Sequence, residues 1–178
     1  MNQTSNHPLT LEQISNCFHE CFFNKYQVVL KGGFDEPFYK THQIVNGKHQ
    51  AAEIQFREDF IRSALHEISH WCVAGLERRS IDDYGYWYEP DGRNFDQQIE
   101  FFNVEVTPQA YESILCDAAQ IEFQVSVDNL DVDISDLEVH IENFKKCVFE
   151  KKEQILNTNG HKRVLLLANR LQLETQIR

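Results

Sequence analysis

Leu11, Ile14, Phe18, Cys21 and Phe22 recur at helical spacing, and Thr10 with Gln13 three residues later forms a capping box ahead of them. This predicts a helix over residues 11–23. Tyr26 to Lys31 is rich in β-branched residues and stops at Gly32-Gly33, with Asp35-Glu36-Pro37 forcing a turn beyond, so it reads as a strand entering a loop. Asn46-Gly47 reads as a hairpin tip between Gln43 to Val45 and a short strand near Ala52 to Phe56.

From Glu58 the hydrophobic period lengthens to that of a helix. Phe60, Ile61, Ala64, Leu65, Ile68, Trp71 and Cys72 make a wide apolar stripe that stops at Gly75, and this is the central helix. Residues 77–93 read as a loop carrying the aromatic group Tyr84, Tyr86, Trp87 and Tyr88, then a Pro90-Asp91-Gly92 turn. Phe95 to Asn103 is helical in pattern, and Thr107-Pro108 reads as the N-cap and first-turn proline of a further helix to about Gln120. Glu122 to Val127 alternates as a strand. Ser135 with Glu138 opens a long charged helix to about Asn157, Gly160 ends it, and a last helix runs from about Lys162 to Leu173. The elements predict one α+β domain over residues 1–178, a small mixed sheet packed with helices, in which 26–130 form the core and 131–178 a helical extension.

Composition narrows the class. With 178 residues and 42% apolar side chains the chain can bury a substantial core, and its longest apolar run, Val164 to Ala168, is far too short to cross a membrane. The first sixteen residues lack the basic start and apolar stretch of a secretory signal, so a cytoplasmic location is expected. A net charge of −11 repels a polyphosphate backbone and favours basic partners, which argues against nucleic acid. The five cysteines include no C-x-x-C pair and read as reduced, half-buried apolar residues.

The chemistry lies in His66-Glu67-Ile68-Ser69-His70, an H-E-x-x-H motif inside the central helix. A four-residue spacing puts both imidazoles on one face, where they can converge on one metal ion. The composition predicts only about 0.03 accidental matches, so the motif is informative. A catalytic metal needs a third protein ligand. The common downstream Gly and His are replaced here by Val73 and Leu76, which leaves Asp91, Asp96, Glu100 and Glu105 as nearby carboxylates. Glu105 stands between Val104 and Val106, where a carboxylate wants a cation; its ordinary alternative is the solvent-facing position of a short strand. With Zn²⁺ and Glu67 as general base the site would be a metallopeptidase. With Fe(II), two histidines and one carboxylate form the facial triad of oxygen-activating enzymes.

Four stretches together resemble the bacterial elongation factor P hydroxylases: H-E-I-S-H-W-C at 66–72, D-x-G-Y-W-Y-x-P-D-G-R from Asp83 to Arg93, V-E-V-x-P-Q-A from Val104 to Ala110, and S-x-D-N-L from Ser126 to Leu130. The resemblance covers residues 26–130. It implies hydroxylation of the β-lysylated lysine of elongation factor P and a 2-His-1-carboxylate site of His66, His70 and Glu105. It also implies a fold other than a jelly roll; the pattern of elements leads us to expect the H-E-x-x-H helix at the centre of the domain, as in zincins. Fe(II) and O₂ are the expected cofactor and co-substrate, because no amino-acid side chain oxidises an unactivated C–H bond. No Arg or Lys is unambiguously placed to grip 2-oxoglutarate. Glu67 is then the candidate catalytic residue beside the metal, and Tyr84, Tyr86, Trp87 and Asp91 are candidates for the approach of a cationic side chain. Two readings compete: a zinc-dependent metallopeptidase, and a binding protein whose acidic surface docks a basic translation factor around a structural metal.

Overall fold

The computed structural model describes residues 7–85, 93–127 and 134–177. Its elements are α1 (Leu11–Tyr26), β1 (Val28–Phe34), β2 (Phe38–Lys40), β3 (Gln43–Val45), β4 (Lys48–Gln50), β5 (Ala52–Arg57), α2 (Ile61–Val73), α3 (Phe95–Ala119), α4 (Ile134–Leu156) and α5 (Lys162–Gln176). Two short 3-10 turns, Arg78–Ser80 and Asp82–Gly85, follow α2. The result is an α+β domain in which helices outweigh strands. The Thr10 and Gln13 capping box is formed, and α1 runs three residues past its expected end, to Tyr26, before Gln27 closes it in the left-handed conformation.

The sheet differs from the expected hairpin. Asn46-Gly47 is a hairpin tip, but it joins β3 to β4, with Ile44 opposite His49. The strand at 52–57 instead enters the main sheet, ordered β1-β5-β2, parallel to β1 with Leu30 opposite Ile54 and antiparallel to β2 with Tyr39 opposite Ile54. Burial explains the choice: Ala52, Ile54 and Phe56 are apolar and inward-facing, whereas β4 is exposed along its length. Gly32 is required where β1 passes the turn into α2, since a Cβ there would lie 2.7 Å from each of Glu58 O, Asp59 Oδ1 and the Phe56 ring.

Helix α2 lies against β5 on one side and α3 on the other. Ala64, Leu65, Ile68, Trp71 and Cys72 are buried as the stripe predicts, but Phe60 is the N-cap and is exposed. Trp71 closes an aromatic cluster with Phe18, Phe22 and Tyr26, ring centroids 5.6, 4.9 and 5.2 Å away.

The largest departure from expectation is α3. It is one continuous helix from an Asn94 and Gln97 capping box through to Ala119, with Pro108 inside it rather than at the start of a second helix. An interior proline removes one backbone hydrogen bond, but from Gln98 onward α3 is buried along most of its length against α2, α4 and α5, and that packing holds the helix together. The alternating segment 122–127 is not a strand. Its backbone groups are taken by side-chain amides of α3: Ser126 N–H donates to Gln109 Oε1 (3.0 Å), Gln109 Nε2 donates to Ser126 O (2.8 Å), and Gln98 Nε2 donates to Val127 O (2.8 Å). Two glutamines thus stand in for a strand partner.

Helices α4 and α5 share the same core. Phe144 stacks on Phe102 at 4.6 Å, and Val148, Ile155, Val164, Leu167 and Leu171 are buried in one cluster with α1 to α3. Arg163 of α5 donates through Nη2 to Cys72 O (2.8 Å) and Ala74 O (2.7 Å), satisfying carbonyls at the C-terminal end of α2.

Candidate metal centre

Helix α2 places His66 and His70 one turn apart, with ring centroids 4.7 Å apart and Nε2 atoms 3.0 Å from each other. Helix α3 brings Glu105 to them: Oε1 is 3.3 Å from His70 Nε2 and Oε2 is 3.8 Å from His66 Nε2. One ligand atom from each of these three residues lies within 4.8 Å of the others, and among the described residues this is the only such group. Asp96 and Glu100, also on α3, are exposed and stand outside it. Glu105 is therefore not a strand residue facing water. It is a helical residue, 1% exposed, and its hydrogen bond from Gln109 Nε2 at 3.4 Å comes from one turn further along the helix. The histidine side chains keep 26% and 14% of their surface, so the cluster is closed behind Glu105 and open at the imidazole edges.

Glu112 joins the site although the sequence reading did not single it out. It is 3% exposed, and its Oε2 accepts from His66 Nδ1 at 2.8 Å. That contact leaves His66 Nε2 turned towards His70 and Glu105. Gln98, Glu105, Gln109 and Glu112 follow one another at intervals of seven, four and three along α3, a buried polar stripe on a single helix face. The spacing is visible in the sequence once Pro108 is read as interior to a helix.

The electrostatics suit a cation. Burial pushes His66 down, but the Glu112 hydrogen bond and the charges of Glu105, Glu112 and Glu67 outweigh it and raise its pKa to about 10. Burial pushes Glu105 up, and the neighbouring His70 and His66 outweigh it, lowering the carboxyl to about 2. Glu67 is raised, chiefly by burial. Three carboxylates around two imidazoles form a site with excess negative charge, and two nitrogen donors with one carboxylate suit a divalent transition metal.

The remaining candidates are distributed unevenly. Tyr84 is 4% exposed and stacked flat on Tyr39, with centroids 4.4 Å apart and planes 8° apart, so it anchors the turn after α2 and presents no face to solvent. Its backbone and that of Asp83 are left-handed, at φ 56° and 50°. Tyr86, Trp87 and Asp91 lie outside the described residues. Arg93 donates from Nε to Gln98 Oε1 at 3.1 Å and covers the Phe101 ring at 4.1 Å, which ties the start of α3 to the buried stripe.

The family model described as elongation factor P hydroxylase matches residues 17–176. The chain belongs to the elongation factor P hydroxylase family. A curated relative, the elongation factor P lysine hydroxylase of Haemophilus influenzae, is 45% identical over 141 residues, spanning 79% of this chain and 75% of the relative. The match to the hydroxylase family reaches beyond the motifs at 66–130 into α1, α4 and α5, as expected of helices that share one core.

Proposed function

We propose that this protein hydroxylates the β-lysylated lysine of elongation factor P, with Fe(II) held by His66, His70 and Glu105 and O₂ as the oxidant. The observation that carries this reading is the convergence of those three side chains in a chain of the elongation factor P hydroxylase family. Iron bound there would supply the one-electron and O₂ chemistry that side chains lack. The chain's own groups do the rest. Glu112 fixes the His66 ring through Nδ1, and Gln109 holds Glu105 while docking the backbone of Ser126. Glu67, half-buried on the same helix as both imidazoles, orients a ligand or holds a proton next to them. Tyr86, Trp87 and Asp91, on the segment that follows Tyr84, receive the basic side chain, and the net charge of −11 favours its approach. No helix among the described residues is long and apolar enough to cross a membrane, and the site of action in this reading is the cytoplasm, where the translation factor works.

The test is aerobic incubation of the Fe(II)-loaded protein with β-lysylated elongation factor P and a reductant, with and without 2-oxoglutarate. The expected outcome is a mass gain of one oxygen on the modified lysine, absent in His70→Ala and Glu105→Ala. Absence of any gain, together with peptide cleavage by the Zn²⁺-loaded protein, would replace this reading with the metallopeptidase one.

A further inference from the structure

The segment that leaves α2 folds back onto β2 and is held there in a costly conformation. Asp83 (φ 50°, ψ 30°) and Tyr84 (φ 56°, ψ 13°) are successive left-handed residues, and neither is glycine. Three contacts hold them. Tyr84 stacks on Tyr39, the Asp82 carboxylate accepts the Thr41 N–H at 2.7 Å, and the Asp83 carboxylate accepts the Tyr39 N–H. Strain that surrounding contacts maintain in this way gathers at functional sites.

The arrangement brings a fourth carboxylate to the metal centre. Asp83 is half-buried and is coupled in charge to both His70 and Glu67. Burial raises its carboxyl, and the Tyr39 N–H and the His70 charge offset that only in part. Among the described residues it has no lysine or arginine partner, and the cationic side chain that lowers it is His70. A ligating imidazole is neutral, so a metal ion takes that countercharge away. The two charges of a divalent ion are matched by Glu105 and Glu112, which leaves Glu67 and Asp83 in excess. Exposure separates the pairs: Glu105 and Glu112 are sealed in at 1% and 3%, whereas Glu67 and Asp83 keep contact with solvent. A half-buried carboxylate without a countercharge is unfavourable until a cation reaches it.

The substrate of the reading above brings such a cation, because a β-lysyl group carries primary amines that are protonated at neutral pH. Resting on that reading, we propose that Asp83 pairs with an ammonium group of the β-lysyl extension and so selects the modified lysine over the unmodified one.

Asp83→Asn removes the charge alone, since its amide oxygen still accepts the Tyr39 N–H and asparagine tolerates a left-handed backbone. Isothermal titration calorimetry with the full-length, Zn²⁺-loaded protein reads binding without turnover. The wild type is expected to prefer β-lysylated elongation factor P to the unmodified form. Asp83→Asn is expected to weaken binding of the modified form by on the order of tenfold and to leave the unmodified form as it was, with partial recovery in Asp83→Glu. Asp82→Asn, which removes a neighbouring charge at an exposed position, is expected to keep the preference. Acetylating the β-lysyl amines should cost the wild type about as much as Asp83→Asn does, and cost that variant nothing further. An unchanged preference in Asp83→Asn, an equal loss in Asp82→Asn, or an acetylated substrate that binds the wild type as tightly as the free amine would each overturn the proposal. Should Asp83→Asn not fold, the acetylated substrate on the wild type decides. A wild type that binds both forms alike and adds no oxygen in the mass assay would overturn the hydroxylase reading itself, whereas one that hydroxylates and discriminates regardless of Asp83 would overturn the role of Asp83 alone.

Discussion

Replacing Glu112 tests the reasoning about the proposed metal centre most directly, because its side-chain hydrogen bond among the described residues is to His66, a proposed ligand. Its carboxylate meets His66 Nδ1 at 2.8 Å in a position 3% exposed, so water does not substitute well for it when it is removed. Glu112→Ala frees the His66 ring to rotate and removes one of the three carboxylate charges. Contacts of this kind change metal affinity by roughly 10- to 100-fold, equivalent to about 1.4–2.7 kcal/mol. Glu112→Gln keeps an oxygen that can accept from Nδ1 but carries no charge, so it separates the two contributions. We expect Glu112→Ala to lose the full amount and Glu112→Gln to fall between it and the wild type. Competition with a chromophoric chelator under anaerobic conditions, using Zn²⁺ or Co²⁺, gives the affinities without any turnover. Nitrogen NMR of the imidazoles shows whether the proton on Nδ1 survives. An Ala variant that binds metal as the wild type does would show that α2 alone orients His66, and the role assigned to Glu112 would fall.

The metal-free protein should have a stability maximum between two limbs. His66 is raised from 6.5 to about 10, so its contribution is complete below pH 6.5 and fades as the pH climbs to about 10; Glu105 is lowered from 4.5 to about 2, so its contribution is present above pH 4.5 and is lost as the pH falls towards 2. Denaturant midpoints taken across that range check both, and saturating Zn²⁺ should flatten the alkaline limb because the ion displaces the proton. Gly32→Ala should destabilise the fold by about 1–3 kcal/mol, since the added carbon meets the Glu58 carbonyl at 2.7 Å and backbone cannot swing aside; a midpoint equal to the wild type would contradict the close approach. Glu67→Gln distinguishes hydrolysis from oxygenation: in a peptidase it abolishes turnover with metal binding intact, whereas in a hydroxylase partial activity should remain, as read by the mass assay.

Local signals carried the reading of α1 and α2. The Thr10 cap, the apolar stripe and the four-residue histidine spacing are written within one or two turns of chain, and local hydrogen bonds and burial enforce them. Pro108 misled because its preference for a first turn is a statement about an isolated helix, whereas α3 is held by packing against α2, α4 and α5. That single misreading separated Glu105 from Gln109 and Glu112, which hid the polar stripe and left Glu105 a candidate on its apolar neighbours and on resemblance alone. The alternation at 122–127 is real, but hydrogen bonds that a neighbouring strand would supply come from Gln98 and Gln109, and nothing local announces a side-chain substitute. The Asn46-Gly47 tip was legible, and its partner was not, because β5 is claimed by β1 from eighteen residues before the tip.

The guanidinium of Arg163 closes the carbonyl end of the helix that carries both histidines, and it comes from the last helix of the chain. A minimal enzyme cannot therefore be cut from the motif-bearing stretch alone. A version stopped at residue 130 would keep every motif and still lose the clasp on its histidine-bearing rod, so it should release its ion readily.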